Sequence, residues 1–554
     1  MRGRSLCKWN HLMGLRSDVR GFAGFLAGVP AFVRQRMTEP LAREIVRRRL
    51  REREQNFLNS LELFVYGNPK SPYRRLLDAA QCTLGDVRSM LAADGLDATL
   101  RVLRASDVYV AFDEFKGLRP IVRSGQVIEA RPEDFDNPNV SRYHTVTTGG
   151  STGRARNVLL DLEHLNARLP MHLLGDMFHG AYGNPTALWF EIPPGSGLGS
   201  VLQRIPTGNI PEKWFSPIRG SGDGAGRRFR LATMAALAAA RASGAKVPWP
   251  EYLPLEKADV IARWAQGALK RRGACVIRAH VSKSLRVCLA AKEAGIDLTG
   301  AIVTGGGEPP TRAKVAQIES TGAQFRSGYH LTEIGTVGQS CTMSSDPNDQ
   351  HFYADHLAVI QVPRDVPGFD VSVPSFHFTT LLSSAPKIML NVEADDFGVL
   401  ETRDCGCPFG DLGFTTHISD IRSFRKLTGE GVTLVGSHIE SILEEDLPAK
   451  FGGSPLDYQL VEEEDEKGFT RLTILVNPTV ASADEHAVVA EMQAALRRRG
   501  GAAELSRELW KQANTFRVRR EVPRLTNRGK MMPLQPRARH SARSDSRPTL
   551  SPHD

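Results

Sequence analysis

ADVIARWAQGALKRRG (258–273), followed downstream by AIVTGGGEPPT (301–311), decides the fold class. The first stretch reads as a helix and the second as a short buried strand running into glycines. ALWFEI (187–192) and LAVIQV (357–362) read as further buried strands, and LATMAALAAARASG (231–244) as another helix between them. Such alternation predicts α/β layers with substantial parallel sheet. Upstream, residues 39–64 place Leu41, Ile45, Leu50, Phe57, Leu58 and Leu61 near helical spacing, opposite a charged face. SPYRRLLDAA (71–80) and LGDVRSMLAADG (84–95) read as two more helices, with Gly95 as the stop. Near 390–430 the pattern changes to short strands and turns. Beyond it, residues 457–478 read as a hairpin turning at Lys467-Gly468, and VVAEMQAALRRRG (488–500) as a helix. Together they predict a compact α+β module.

At 554 residues the chain is long enough for more than one domain, and its 41% hydrophobic and 24% charged residues are ordinary for a globular protein. No apolar run reaches membrane-spanning length, and the basic N-terminus lacks the features of a secretory signal. Seven scattered cysteines are no disulfide framework and point to a reducing, cytoplasmic setting. The net charge of +9 sits at the ends: 13 Lys/Arg against 5 Asp/Glu in residues 1–56, and 15 against 5 in residues 497–554. The body between is therefore acidic. Nucleic-acid recognition usually shows basic residues interleaved with aromatics on a folded face, so this pattern argues against it. Residues 536–554 hold too few apolar side chains to fold and are expected to be disordered.

HTVTTGGSTGRARN (144–157) packs three glycines and a set of hydroxyls behind a β-branched run. Glycines let backbone N–H groups approach phosphate oxygens, and hydroxyls add donors without bulk. No Gly-Lys-Ser/Thr follows, so this is not a Walker loop. Taken alone it reads equally as a mobile turn. A second stretch runs from AIVTGGGEPPT to SGYHLTEIG (327–335), where Tyr329 offers a face for stacking, Thr332 a hydroxyl and Glu333 a hard oxygen ligand. In the third, LNVEADDFGVLETRDCGC followed by HISDIRSF, Asp396 could accept from two ribose hydroxyls and Arg422 could support the sugar or a phosphate. Lys530 closes the series in a basic loop, REVPRLTNRGKMMPLQ. Singly, each has a bland reading as core or solvated charge.

Their joint order resembles the adenylate-forming superfamily of acyl- and aryl-CoA synthetases, adenylation domains and luciferase. Within it the likeness is to the phenylacetate–CoA ligase and coenzyme F390 synthetase branch, from about Ser71 to Lys530. The resemblance implies an adenylate-forming α/β fold: a helical extension over 1–70, a large domain of layered sheets over 71–422, a small mobile α+β lid over 423–535 and the tail. It implies that Thr148, Gly150, Ser151, Thr152 and Gly153 hold ATP phosphates, with Arg154 and Arg156 at places where such loops often keep a basic residue. Gly307, Glu308 and Pro309 would form the adenine-side turn beside Tyr329. Thr332 would contact the α-phosphate, Glu333 would bind Mg²⁺, Asp396 (or its neighbour Asp395) the ribose, and Arg422 would precede the hinge. Lys530 would meet the carboxylate and α-phosphate. The implied reaction activates a small carboxylic acid with ATP and passes it to coenzyme A. An amine or protein-thiol acceptor, or a non-catalytic nucleotide-binding relative, is the alternative. Oligomeric state is not legible.

The sequence departs from the family pattern at the hinge, where Phe424-Arg425-Lys426 replaces an aspartate. Ala155 replaces a proline after the phosphate loop, and NVEADD an arginine-rich run. Cys341, His351 and the Cys405-Gly-Cys407 pair match an arrangement that carries structural zinc in some members of the branch. Three thiolates and an imidazole suit a closed tetrahedral site. Chance spacing of Cys and His is the alternative, and Asp355 is at best a candidate for an outer partner.

Overall fold

The computed structural model describes residues 20–123, 125–140, 143–148, 156–193, 195–219, 224–307, 310, 312–365, 372–423, 428–429, 432–433, 439–464, 470–498, 516–525, 531 and 533–535. Its centre is one twelve-stranded sheet. In chain order the strands are β1 (Thr186–Trp189), β2 (Lys213–Ser216), β3 (Pro250–Tyr252), β4 (Cys275–His280), β5 (Ala301–Gly306), β6 (Gln324–Leu331), β7 (Gly335–Ser340), β8 (Gln350–Phe352), β9 (Leu357–Asp365), β10 (Ser372–Thr380), β11 (Val392–Thr402) and β12 (Thr416–Ser423). Their spatial order is β9-β10-β11-β12-β8-β7-β6-β5-β4-β1-β2-β3. The six strands from β3 to β6 are mutually parallel, and every pairing from β6 outward to β9 is antiparallel. The α/β reading of the sequence holds.

Sequence explains the parallel half directly. β4 and β5 read as near-continuous apolar runs because helices cover both faces. The helix Ala258–Arg272 buries Ala258, Ile261, Ala262, Ala265 and Ala268, carries Lys270, Arg271 and Arg272 in its last turn, and ends on Gly273 at φ +73°. Small residues allow close packing on the sheet, the cations complement the helix C-terminus, and glycine takes the left-handed cap at no steric cost. Gly95 stops the helix as expected. Its φ of +77° breaks the helix, yet helix resumes at once and runs to Ala105, because Leu96, Thr99, Leu100 and Leu103 have a core to enter.

Four helices matter for the site: α1 (Leu162–Phe178), α2 (Gly197–Leu202), α3 (Val281–Glu293) and α4 (Arg312–Glu319). The helices Ala258–Arg272, α3 and α4 contribute to the core behind the parallel strands. α1 and α2 pack on the opposite face, together with a helix over 20–34 whose Phe25, Val29, Phe32 and Val33 join Leu188 and Trp214 in one core. Phe215, like Trp214, is buried core.

A second, four-stranded sheet joins β13 (Tyr458–Glu464), β14 (Thr470–Val476), β15 (Phe516–Arg520) and β16 (Leu534–Gln535) in the order β15-β14-β13-β16. β13 and β14 are antiparallel in the register expected of a hairpin, with Glu464 opposite Thr470; Lys467-Gly468 lies outside the described residues. The helix Glu485–Arg498 completes this unit's own core. It rests on the back of the large sheet. Lys314 of α4 pairs with Glu444 at 2.8 Å, both side chains fully buried, and Leu456 and Met531 enter the core behind the parallel strands. Among the described residues no helix is long and apolar enough to cross a membrane.

Candidate functional site

The chain lays down β1, β2 and β3 in one direction across the sheet, then returns to place β4 on the other side of β1. In open α/β sheets ligands bind beyond the carboxyl ends of the strands near such a reversal. Two of the stretches read from the sequence, the glycines after β5 and the Tyr329–Glu333 run, lie at this edge. β5 ends in Gly305-Gly306 and continues into Gly307 at φ +77°. β6 lies parallel beside it, with Gly328 opposite Gly306. Tyr329 follows at a bulge, and the turn between β6 and β7 carries Thr332, which is exposed, and Glu333.

Tyr329 reaches into the antiparallel half. Its hydroxyl donates to Asp396 Oδ2 at 2.7 Å, joining β6 to β11. Burial, reinforced by that carboxylate, pushes the phenol well above its ordinary range, so Tyr329 is a neutral donor that fixes Asp396. Asp396 pairs with Ser423 across β11 and β12, and Phe397 with Arg422, which puts the Arg422 backbone beside the same spot. Glu333 forms an ion pair with Lys116, from the turn after the helix Phe112–Phe115. Burial alone would raise the Glu333 carboxyl, but the Lys116 charge outweighs it and keeps the group ionised. Sequence reading missed Lys116; a lone lysine 217 residues away carries no local signal.

A hairpin pairs Tyr143–Thr148 with Arg156–Asp161, with Thr148 opposite Arg156. Gly150, Ser151, Thr152 and Gly153 lie outside the described residues, as do Arg154, Ala155, Glu308, Pro309, Phe424-Arg425-Lys426, Lys530 and the tail 536–554. Met531, next to Lys530 in the chain, is fully buried, and its carbonyl accepts from Ser282 Oγ at the start of α3, 3.3 Å away.

A second centre lies in the antiparallel half. The ligand atoms of Cys341, His351, Cys405 and Cys407 all fall within 4.8 Å of one another. His351 Nδ1 is 2.7 Å from the Phe414 carbonyl, which fixes the ring with Nε2 facing the thiols; Cys407 Sγ stands 3.0 Å from it and Cys405 Sγ 3.5 Å. Gly406 at φ +66° turns the chain so that both flanking cysteines reach the same point. Burial pushes the Cys341 thiol up to about 12, whereas at Cys407 burial is outweighed by the hydrogen bond with His351, which holds it at about 5. The donor set and its spacing fit one tetrahedral zinc. Asp355 is not the outer partner. It pairs instead with Arg49 and His356, while Asp349, bonded to His417 at 2.7 Å, lies beside Cys341.

No protein-family model and no curated protein matches the chain. Solved structures do. A 2-hydroxyisobutyryl-CoA ligase in complex with 2-HIB-AMP and CoA is 13% identical over 88% of this chain and 88% of its own, with a TM-score of 0.39. ATP-bound MatB from Rhodopseudomonas palustris is 13% identical over 73% and 68%, with a TM-score of 0.42. The amide bond synthetase McbA from Marinactinospora thermotolerans is 14% identical over 87% and 92%, with a TM-score of 0.39. Likeness this distant leaves activity to be argued from the site itself.

Proposed function

We propose that the protein is an AMP-forming ligase that activates a carboxylic acid with ATP and transfers the acyl group to a thiol, most simply that of coenzyme A. The observation that carries this reading is the Tyr329–Asp396 hydrogen bond beside the Glu333 turn, at the carboxyl edge of the parallel strands. An aromatic, a ribose-type carboxylate and an acidic turn are thereby within reach of one nucleotide. In this reading Tyr329 flanks adenine with Gly307, Glu308 and Pro309, while its hydroxyl orients Asp396 to accept from the ribose. Thr148 and the loop residues Gly150, Ser151, Thr152 and Gly153 hold the phosphates, and Thr332 contacts the α-phosphate. Arg422 supports the sugar just before the hinge between a large domain (71–422) and a small lid (423–535).

A carboxylate is a poor electrophile because its leaving group would be oxide. Attack of one carboxylate oxygen on the α-phosphorus forms an acyl–phosphate bond, and pyrophosphate departs with the electron pair of the bond that breaks. The thiol then attacks the acyl carbon, AMP leaves, and the thiol proton passes to solvent. Glu333 would hold Mg²⁺, which neutralises charge on the phosphates when bound. Lys116 keeps that carboxylate ionised and in place beforehand. Lys530 neutralises the charge gathered on the carboxylate and α-phosphoryl oxygens, and its neighbour Met531 anchors the segment at α3. The lid would rotate to exchange Lys530 for the thiol. Zinc at Cys341, His351, Cys405 and Cys407 would be structural, all four positions being taken by protein.

The test is carboxylate-dependent exchange of labelled pyrophosphate into ATP over a panel of aryl and aliphatic acids. Exchange is expected with at least one acid. Lys530→Ala should lower it by orders of magnitude while equilibrium ATP binding persists. Absence of both exchange and ATP binding would overturn the reading. Product analysis with coenzyme A, an amine or a carrier-protein thiol then assigns the acceptor.

A further inference from the structure

The sheet face under α1 and α2 presents two rows of side chains. Arg278, Thr304 and Arg326 stand abreast on β4, β5 and β6, and one step nearer the carboxyl edge come His280, Gly306 and Gly328. The two glycines make room for the His330 imidazole. A Cβ at Gly328 would come within 2.8 Å of His330 Nε2, and one at Gly306 within 2.9 Å of its Cδ2. His330 Nδ1 meets Thr336 Oγ1 at 3.1 Å, and the same hydroxyl accepts from Arg168 Nη2 at 2.9 Å. The Arg168 guanidinium lies against Gly335, two residues past Glu333, so a Cβ there would meet its Cζ at 2.8 Å. The His330 ring over this glycine floor and Thr336 therefore link the strand ends beside the Glu333 turn to the Arg168 guanidinium.

The buried cations there outnumber their counter-charges. Arg168 and His172 come from one face of α1, Arg204 from the turn after α2, and Arg278 from β4. Arg278 bonds Asp176 at 2.6 Å, and the other oxygen of that carboxylate is taken by Asn209 at 2.7 Å. The two nearby buried carboxylates are already matched: Glu191 by Lys283 and His280, and Asp355 by Arg49 and His356. Among the described residues, Asp176 serves both Arg278 and Arg204, Arg204 Nη1 also donates to the Ser200 carbonyl at 2.7 Å, and Arg168 donates to a neutral hydroxyl, that of Thr336. Arg204 and Arg278 are each 6% exposed. The Nε atoms of all three arginines and Nε2 of His172 are buried without a hydrogen-bond partner. Arg168 and His172 also line a small cavity with Thr336, Gln339, Tyr353 and the Asp355–His356 pair. Burial pushes Arg204 down to about 9 and Arg168 to about 10, with the charge of Arg278 adding to the effect at Arg204. Guanidiniums are not left desolvated and uncompensated without cost, and an arriving anion with several acceptor oxygens removes it.

We propose that this arginine cluster receives a second anionic group of the substrate, so that the acid activated at Glu333 is a dianion, with a carboxylate or phosphate at its far end seated on Arg168, Arg204 and Arg278. The proposal rests on the ligase reading for the reacting carboxylate and on the arginine cluster for the other end. The short path from Gly335 to Arg168 fits a compact molecule.

Full-length protein is titrated calorimetrically, without ATP, with matched acids such as butyrate and succinate or benzoate and isophthalate, and with inorganic phosphate. The diacids are expected to bind at least tenfold more tightly than their monoacid partners. Arg204→Met should erase that difference, and Arg204→Lys should keep part of it. Diacids that bind and undergo exchange no better than monoacids in the native chain overturn the proposal, with or without a foldable Arg204 variant. Arg204-dependent phosphate binding that exceeds succinate binding assigns the far end to a phosphate. If diacids bind through Arg204 but no acid supports exchange, the ligase reading falls and the anion site stands. If only monoacids support exchange, the reverse holds.

Discussion

Lys314→Met should detach the small α+β unit from the large sheet. Lys314 and Glu444 face each other at 2.8 Å with both side chains fully buried, one on α4 and the other on the turn Ile442–Asp446. Removing the lysine leaves a desolvated carboxylate, and breaking a buried pair in this way costs roughly 3–5 kcal/mol. At about 1.4 kcal/mol per tenfold, a loss of 3 kcal/mol raises the population in which the small unit is detached or unfolded roughly 150-fold. Glu444→Leu alone should cost a similar amount by removing the buried carboxylate that faces the ammonium. The double variant Lys314→Met/Glu444→Leu should recover most of the loss, since well-packed apolar side chains often replace a buried pair without penalty. Urea titration combined with limited proteolysis of the residues beyond 430 measures all three. Single variants that each shift stability by less than about 1 kcal/mol would mean that the pair is hydrated in solution, and the docking argument would fail.

Metal analysis of the purified full chain should find about one zinc per molecule. His351→Ala should abolish it and lower the melting temperature by several degrees, and a metal-free native protein of unchanged melting temperature would count against the site. Tyr329→Phe removes the donor to Asp396, a hydrogen bond to a charged group, and should weaken ATP binding roughly tenfold by equilibrium titration. Unchanged affinity would show that Asp396 is held otherwise. In the small unit burial alone would raise the Glu463 carboxyl, but hydrogen bonds from Arg519, Arg524 and Thr473 outweigh it and hold it at about 2. A depressed folded value means that this contribution is fully present above the unfolded glutamate's value near 4.3 and is lost as pH falls toward about 2. Acid titration of stability should show that slope in the native chain and lose it in Glu463→Gln.

The parallel half was legible because its signals are local. Ala301–Gly306 forms the strand read from AIVTGG, and Ala258–Arg272 has both its apolar face and its capping glycine in the sequence. Gly95 breaks the helix as read, but the resumption beyond it was not legible, because it belongs to Leu96 and Leu100, which answer to a distant core. What the site gathers is mostly non-local. Nothing near Asp396 announces Tyr329, and nothing near Glu333 announces Lys116 or the arginines of α1, β4 and the turn after α2. Asp355 drew attention by lying close to His351 in sequence, but it stands beyond the end of β8. Asp349, two residues before His351, lies beside Cys341 and His417.

The helix over 20–34 has a practical consequence for anyone preparing shorter versions of this protein. Phe25, Val29, Phe32 and Val33 are not ornaments on a finished body; they plug the wall formed by Leu188, Leu198 and Trp214. Fully burying each such side chain is worth about 1.5–3 kcal/mol. A fragment started at residue 71 would bare a greasy scar on the α1 and α2 side and would be expected to clump before it could be assayed.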